Sequence, residues 1–236
     1  MLDIREINAG YGPSNVLHGL SLTIERGHLT AIFGPNGGGK STLAKALAGL
    51  LPITSGKVVF EGEDVTKLQA ERLARNGLLL VPQEGNIFAN LSVEENLRLG
   101  AGLSRKTPAG AGIEKAFTMF PILKQRRQQT AGTLSGGERQ MLAIGSAIIA
   151  DPKLLILDEP TSGLAPVIVH QLIEQAVKYA RSGATVVWMI GDSVDAILPY
   201  GDKAVLVHGG QCVGQWTAAD MPSGDHLADL YMGNLH

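Results

Sequence analysis

A glycine-rich segment, Gly34-Pro35-Asn36-Gly37-Gly38-Gly39-Lys40-Ser41, separates an apolar run that ends at Phe33 from a run of helix-forming residues that begins at Thr42. Glycines here let successive backbone N–H groups point at one anion, and a helix N-terminus adds partial positive charge at the same place. The pattern therefore predicts a strand–loop–helix unit that holds nucleotide phosphates. A glycine-rich turn without a ligand is the alternative, and the position between strand and helix disfavours it.

Each residue of this segment has an expected role. Lys40 would bridge the β- and γ-phosphates, and the Ser41 hydroxyl would bind Mg²⁺. The predicted phosphate-binding residues are Gly34, Pro35, Asn36, Gly37, Gly38, Gly39, Lys40, Ser41 and Thr42.

Two adjacent carboxylates, Asp158 and Glu159, follow the apolar run Leu154 to Leu157, which Lys153 precedes. Carboxylates at the carboxyl end of a buried parallel strand repel each other and lose hydration unless a cation or a reacting water uses them. We predict that Asp158 contacts Mg²⁺, directly or through water, and that Glu159 orients and deprotonates the water that attacks the γ-phosphate. The alternative is a strand that ends in acids before a turn at Pro160.

A second glycine motif, Leu134-Ser135-Gly136-Gly137-Glu138-Arg139-Gln140, leads into the apolar stretch Met141 to Ala150. Ser135 and Glu138 have capping-box spacing, which is a purely structural interpretation. Gly136 and Gly137 would also expose backbone N–H groups to an anion at the helix entrance. One nucleotide does not need two such cradles from one chain. We therefore predict a dimer with ATP between the subunits, bound by the phosphate loop of one and by Ser135, Gly136, Gly137 and Glu138 of the other.

The remaining pattern predicts an α/β fold. Alternation at Leu20, Leu22 and Ile24, and the run Gly56 to Phe60, predict a strand-rich, antiparallel early part. Four nearly continuous apolar runs predict a parallel sheet that is buried on both faces and linked by helices: Leu29 to Phe33, Leu78 to Val81, Leu154 to Leu157, and Thr185 to Ile190.

Between Asn86 and Ala150 the strand signals fade, and helix-like stretches appear at Val93 to Leu99 and Ile113 to Phe120, separated by Gly100 to Gly112. We predict one domain, 1–236, with a P-loop NTPase core and an antiparallel β subdomain at 1–85 and 151–236. A helical subdomain, 86–150, is inserted in it and carries the Ser-Gly-Gly motif. A short helix is expected at 225–232.

Composition limits the cellular context. The formal net charge of −2 gives no electrostatic reason to expect nucleic acid or an anionic membrane surface as a partner. Cys212 is the only cysteine, which excludes an internal disulfide and a CxxC site and fits a cytoplasmic address. The N-terminus has scattered charges, and the Met141 to Ala150 stretch is far below the ~18 residues of a membrane span. We expect neither a signal peptide nor a transmembrane helix.

These motifs resemble those of the ATP-binding subunits of ABC transporters, over essentially the whole chain. The resemblance implies the ABC ATPase fold and ATP and Mg²⁺ as ligands. It also implies that Tyr11, in Gly10-Tyr11-Gly12, stacks on adenine, and that Val16 contacts the nucleotide. Gln83, in Val81-Pro82-Gln83, would contact Mg²⁺, assist catalysis and sense the membrane subunits.

The partners implied by the resemblance are transmembrane permease subunits, a second ATPase subunit and, indirectly, an extracytoplasmic solute-binding protein. They would hold the chain at the cytoplasmic face of the inner or plasma membrane. Three segments look like the branched-chain amino-acid importer group: Thr161 to Pro166, Val81 to Phe88, and Tyr231-Met232-Gly233. A lipopolysaccharide-type exporter subunit, a soluble ABC ATPase of DNA repair or translation, and a regulatory module that hydrolyses ATP poorly are the alternatives.

Two positions depart from the family pattern. Ala165 stands where many members have aspartate, and Gly191 stands where a histidine would hydrogen-bond the γ-phosphate. A homodimer should then hydrolyse ATP slowly, which favours a heterodimer with a second ATPase subunit; otherwise Asp192, Ser193 or another group supplies the donor. The six histidines are interpreted as surface or turn residues: His18, His28, His170, His208, His226 and His236.

Overall fold

A computed structural model of the chain describes residues 1–103, 108–191, 194–217 and 219–220. The helix expected at 225–232, the Tyr231-Met232-Gly233 segment, and Asp192 and Ser193 lie outside these ranges.

The strands are β1 (Leu2–Tyr11), β2 (Ser14–Ile24), β3 (Leu29–Phe33), β4 (Ile53–Phe60), β5 (Glu63–Asp64), β6 (Leu78–Val81), β7 (Leu154–Asp158), β8 (Thr185–Met189), β9 (Lys203–His208) and β10 (Gln211–Thr217). The helices are α1 (Lys40–Leu47), α2 (Ala70–Arg75), α3 (Val93–Ala101), α4 (Ala109–Met119), α5 (Pro121–Gln125), α6 (Gly136–Ile149), α7 (Pro166–Arg181) and α8 (Val194–Ile197).

Two sheets form the framework. One has the order β2-β1-β4-β5 and is antiparallel throughout. The other has the order β10-β9-β3-β8-β7-β6; β9, β3, β8, β7 and β6 are parallel, and β10 is antiparallel to β9. The four apolar runs form β3, β6, β7 and β8, so the predicted parallel sheet is confirmed, as is the antiparallel early part. The strands β1, β5, β9 and β10 were not predicted.

The parallel sheet is buried on both faces because successive side chains of each strand enter different cores. In β7, Leu155 and Leu157 pack into the core that contains α6 and α7. Leu154 and Ile156 of the same strand pack into the core shared by α1 and the antiparallel sheet. The helices α1 and α6 therefore lie on opposite faces of one sheet.

The carboxyl ends of the parallel strands meet at one edge. The register pairs Val81 with Leu157 and Asp158 with Met189. The loops after β3, β6, β7 and β8 begin at this edge, so the four segments that carry the predicted phosphate loop, Gln83, Glu159 and Gly191 are neighbours.

The stretch 86–150 contains α3, α4, α5 and α6. Ser135 caps α6 and forms a reciprocal capping box with Glu138, as the sequence predicts. The helix α6 begins at Gly136, five residues before the apolar stretch at Met141, because the cap fixes its first turn. In the described ranges, every helix is too short or too polar to cross a membrane.

Candidate nucleotide site

The phosphate loop is glycine-rich because it lies against the backbone at the end of β9. A Cβ atom at Gly34 would overlap the carbonyl oxygen of Val207, and one at Gly38 would lie 2.9 Å from the carbonyl oxygens of Pro35 and Val207. Asn36 and Gly37, at the tip of the loop, are exposed. The loop thus leaves a concave backbone surface in front of α1, which fits a phosphate group.

Lys40, the first residue of α1, is 3% exposed. Its ammonium donates hydrogen bonds to the carbonyl oxygens of Gly34, at 2.9 Å, and Pro35, at 3.2 Å. It also lies 3.4 Å from Oε1 of Glu159. A buried cation is therefore fixed inside the loop, where an anion would be stabilised.

Ser41 and Asp158 are in direct contact. The Ser41 hydroxyl donates a 3.0 Å hydrogen bond to Oδ1 of Asp158, which is 2% exposed. Burial raises the pKa of the Asp158 carboxyl above its ordinary value, and the hydrogen bond from Ser41 opposes that shift in part. A buried carboxylate beside a hydroxyl is an oxygen-donor set suited to Mg²⁺, whose charge would favour the ionised form.

Glu159 directly follows β7 and has a left-handed backbone conformation, φ 46°. Its N–H donates a 3.1 Å hydrogen bond to the Met189 carbonyl of β8, which fixes its Cα at the sheet edge. Its carboxylate faces Gly191: a Cβ atom at that glycine would lie 2.8 Å from Oε2.

The two residues expected on the adenine side occupy β1 and β2. Tyr11, the last residue of β1, is 51% exposed, and the Lys45 ammonium lies 5.8 Å from its ring centroid. Val16 is half-buried in β2. The next residue, Leu17, reaches the phosphate loop, since its Cδ2 would lie 3.1 Å from a Cβ atom at Gly39. Both strands thus border the loop, and Tyr11 has a ring face available for a base.

Gln83 is exposed on the segment that follows β6, at the same sheet edge as Asp158. Asn86 ties this segment to α6, because its side-chain N–H group donates a 2.8 Å hydrogen bond to Oε1 of Gln140. Gln140 is 7% exposed. The link connects the Gln83 segment with the helix that carries the Ser-Gly-Gly motif.

In the Ser-Gly-Gly motif, Ser135 and Gly136 are exposed, and Glu138 pairs with Arg126 at 2.7 Å. The two glycines differ in their surroundings. A Cβ atom at Gly137 would lie 2.9 Å from Cγ2 of Ile168 in α7, so packing against α7 disfavours a side chain there. At Gly136 the nearest atom, on Leu164, would be at 3.7 Å, which is ordinary contact.

The structure brings three of the predicted groups together, namely the phosphate loop, the Asp158–Glu159 pair and the Tyr11 end of β1. It does not bring the Ser-Gly-Gly motif to the phosphate loop of the same chain, because α6 packs on α3, α4, α5, α7 and β6, whereas α1 packs on β1, β2, β7 and β8.

Three residues at the site were not predicted: Lys45, Asn86 and Gln140. Lys45 lies one helical turn after Ser41, so helical periodicity could have indicated it. Gln140 is the last residue of the quoted motif, but its contact with Asn86 depends on a crossing of distant segments that sequence spacing does not reveal.

A family model described as ABC transporter matches residues 17–162. The chain is 37% identical to the high-affinity branched-chain amino acid transport ATP-binding protein BraG of Pseudomonas aeruginosa, over 99% of this chain and 100% of that protein. It is 35% identical to the probable branched-chain amino acid transport ATP-binding protein LivF of Archaeoglobus fulgidus, over 99% of each. It is 28% identical to the lipopolysaccharide export system ATP-binding protein LptB of Escherichia coli, over 98% of this chain and 97% of that protein.

Solved structures show the same fold. An ATP-binding subunit of an ABC transporter aligns with a TM-score of 0.85 and 26% identity, over 98% of this chain and 99% of the other. The ADP conformation of an ATP-binding cassette aligns with a TM-score of 0.79 and 27% identity, over 98% and 94%. The chain therefore belongs to the ABC transporter family, in which it is an ATP-binding subunit with ATPase activity.

Proposed function

We propose that this ATPase binds Mg-ATP through Lys40, Ser41 and Asp158, and hydrolyses it with Glu159 as the group that activates the water. The observation that carries the proposal is the Ser41–Asp158 contact beside the buried Lys40 ammonium. It joins a phosphate-binding loop, an oxygen-donor pair for Mg²⁺ and a neighbouring carboxylate at one sheet edge. Phosphoryl transfer needs these three elements and little covalent chemistry from the protein. ATP and Mg²⁺ supply the phosphoryl group and the charge neutralisation.

We propose further that each ATP lies between two ATPase subunits. Support comes from the position of the Ser-Gly-Gly motif, whose exposed Ser135 and Gly136 head a helix on the opposite face of the sheet from α1. A helix N-terminus with exposed N–H groups is a suitable anion contact, and we assign it to the nucleotide held by a second subunit. Gln83 and Asn86 would transmit the presence of nucleotide to α6.

Complementation between two inactive variants tests the composite site. Lys40→Ala removes the cation of the phosphate loop. Gly136→Glu places a negative charge at the Ser-Gly-Gly motif, where the space around Gly136 admits a side chain. Each variant alone should lose ATPase activity. Mixed together, they should regain part of it, because the phosphate loop of one and the Ser-Gly-Gly motif of the other form one intact site.

Gly110→Glu is the matched control, since Gly110 lies in the first turn of α4 with open space around its Cβ position. It should leave ATPase activity unchanged. Where the wild-type chain alone forms an ATPase-active dimer, absence of any recovery on mixing the two folded variants would contradict the composite site.

We propose that the ATPase drives import of branched-chain amino acids or related small solutes. Support comes from identities of 37% and 35% to proteins named for branched-chain amino acid transport, against 28% to one named for lipopolysaccharide export. Deletion of the gene should reduce uptake of labelled leucine, and the wild-type gene, unlike Glu159→Gln, should restore it. Unchanged uptake of amino acids together with a lipopolysaccharide defect would favour the exporter role.

The membrane partners are proposed to be permease subunits, which this chain contacts at the cytoplasmic face. The permease subunits would work with an extracytoplasmic solute-binding protein. The second ATPase subunit is proposed to be a different chain. We assign the permease contact to the helical subdomain, 86–150, with the remaining residues as the ATPase core. This stretch exposes three large apolar side chains, Phe88, Leu99 and Leu103, at 62%, 48% and 51%.

In a Cys212→Ala background, a cysteine at Phe88 should crosslink to a permease subunit. A cysteine at Ser21, exposed on β2, should not. Crosslinks confined to Ser21 would contradict this assignment.

A further inference from the structure

The carboxylate of Glu159 lies close to both Lys40 and Gly191. Its Oε1 lies 3.4 Å from the Lys40 ammonium. A Cβ atom at Gly191 would lie 2.8 Å from Oε2, 2.9 Å from Cδ and 3.3 Å from Oε1 of the same carboxylate. Any side chain at position 191 would therefore force the carboxylate to move from this position.

The Lys40 ammonium already has three acceptors. It has three N–H donors, and its partners are the carbonyl oxygens of Gly34 and Pro35 and the Glu159 carboxylate. A phosphate group that binds Lys40 must replace one of them. The carboxylate is the partner that an incoming phosphate repels, since both are negatively charged.

Release of the carboxylate requires a side-chain rotation only. The Glu159 backbone is fixed by its N–H bond to Met189 at the end of the paired strands β7 and β8. The side chain is only 15% exposed, so its pairing with Lys40 is screened little by solvent.

We propose that Gly191 is a positioning residue. Because it has no side chain, the Glu159 carboxylate pairs with the Lys40 ammonium in the nucleotide-free chain. Nucleotide phosphates then bind only after they displace that carboxylate. Occupation of the phosphate loop is thereby coupled to release of the carboxylate for its work on water. The inference rests on the proposed roles of Lys40 and Glu159, and it adds that the resting contact lowers nucleotide affinity.

The test is a double-mutant cycle on ADP affinity, measured by calorimetry with wild type, Gly191→Ala, Glu159→Ala and the double variant. ADP lacks the γ-phosphate beside which Glu159 acts, so a change in its affinity reports on the resting contact. Each single variant should bind ADP about three- to tenfold more tightly than wild type, and the double variant should bind no more tightly than Glu159→Ala alone. Gly201→Ala is the control for adding a methyl group to a buried glycine, since its Cβ would make ordinary 3.5 Å contacts; it should leave ADP affinity unchanged.

The proposal is overturned if Gly191→Ala changes ADP affinity equally in the wild-type chain and in Glu159→Ala. It is also overturned if Gly191→Ala changes ADP affinity in neither of them. If Gly191→Ala fails to fold, Glu159→Ala alone decides: tighter ADP binding supports the resting contact, and unchanged binding overturns it. Failure of the proposed function gives a different result, because wild type and Lys40→Ala would then bind ADP equally or not at all. In that case the role proposed for Gly191 fails as well.

Discussion

The Ser41 hydroxyl donates a 3.0 Å hydrogen bond to Oδ1 of Asp158, across 117 positions of sequence. It joins the first turn of α1 to the end of β7, and it holds the buried carboxylate in a fixed orientation beside the phosphate loop.

We expect Ser41→Ala to weaken Mg-ATP binding about tenfold, because one Mg²⁺ contact and the orientation of Asp158 are both lost. ADP binding without Mg²⁺ should change little. Calorimetry with and without Mg²⁺ measures these affinities, and Ser182→Ala, at the end of α7, is the control. If Ser41→Ala lowers nucleotide affinity equally in both conditions, a metal role for Ser41 is refuted.

Lys40→Ala should weaken ATP binding by about 100-fold, because it removes the one ammonium buried inside the loop, with its charge-assisted contacts to phosphate. Fluorescent nucleotide titration gives the affinity. Lys57→Ala is the matched control, since Lys57 is half-exposed and pairs with Asp64 on the antiparallel sheet. An affinity near that of wild type in folded Lys40→Ala would remove Lys40 from the site.

Glu159→Gln should retain ATP and lose turnover by about 10²–10⁴-fold, because an amide cannot accept a proton from the attacking water. Phosphate release and nucleotide affinity are measured on the same preparation. Glu174→Gln, on the exposed face of α7, should keep full activity. Turnover of Glu159→Gln near the wild-type rate would assign the general base to another residue.

Glu94 should stabilise the helical segment in a pH-dependent way. Hydrogen bonds from Arg127, and then from Arg98, lower the pKa of this carboxyl below its ordinary value. A lowered pKa means that the ionised form is favoured in the folded chain, so the stabilisation is present above the ordinary pKa of glutamate and is lost as the pH falls through the folded-state pKa.

Glu94→Gln should therefore lower the melting temperature at pH 7, and its difference from wild type should shrink towards pH 3. Thermal unfolding at several pH values measures this. Glu114→Gln, which removes an exposed ion pair with Lys124, should have little effect. A difference for Glu94→Gln that is independent of pH would show that packing, and not charge, is responsible.

Gly191→His should raise the ATPase rate of the chain alone, by up to ~10²–10³-fold, because an imidazole would supply a donor to the γ-phosphate and displace Glu159 from Lys40. The partner ATPase subunit should raise turnover of the unmodified chain in the same way. Rates are compared for the chain alone, for the variant and for the chain with its natural partner. Full turnover of the unmodified homodimer, with no gain in Gly191→His, would refute an impaired site.

The sequence by itself determined the parts that depend on neighbours along the chain. The phosphate loop, the two acids at the end of β7 and the cap at Ser135 follow from local backbone chemistry: glycine conformations, a buried strand end, and a hydroxyl three residues before a glutamate. The four parallel strands could be predicted because burial on both faces leaves a continuous apolar run.

Only the tertiary structure decided which of these parts meet. The contact between Ser41 and Asp158, the approach of Gly191 to Glu159 and the link between Asn86 and Gln140 all depend on strand order and helix packing, which local pattern does not encode. The same is true of the separation of α1 and α6 by the sheet. That separation arises because alternate side chains of one strand must be buried in different cores, so each helix is assigned a face by packing and not by its own sequence.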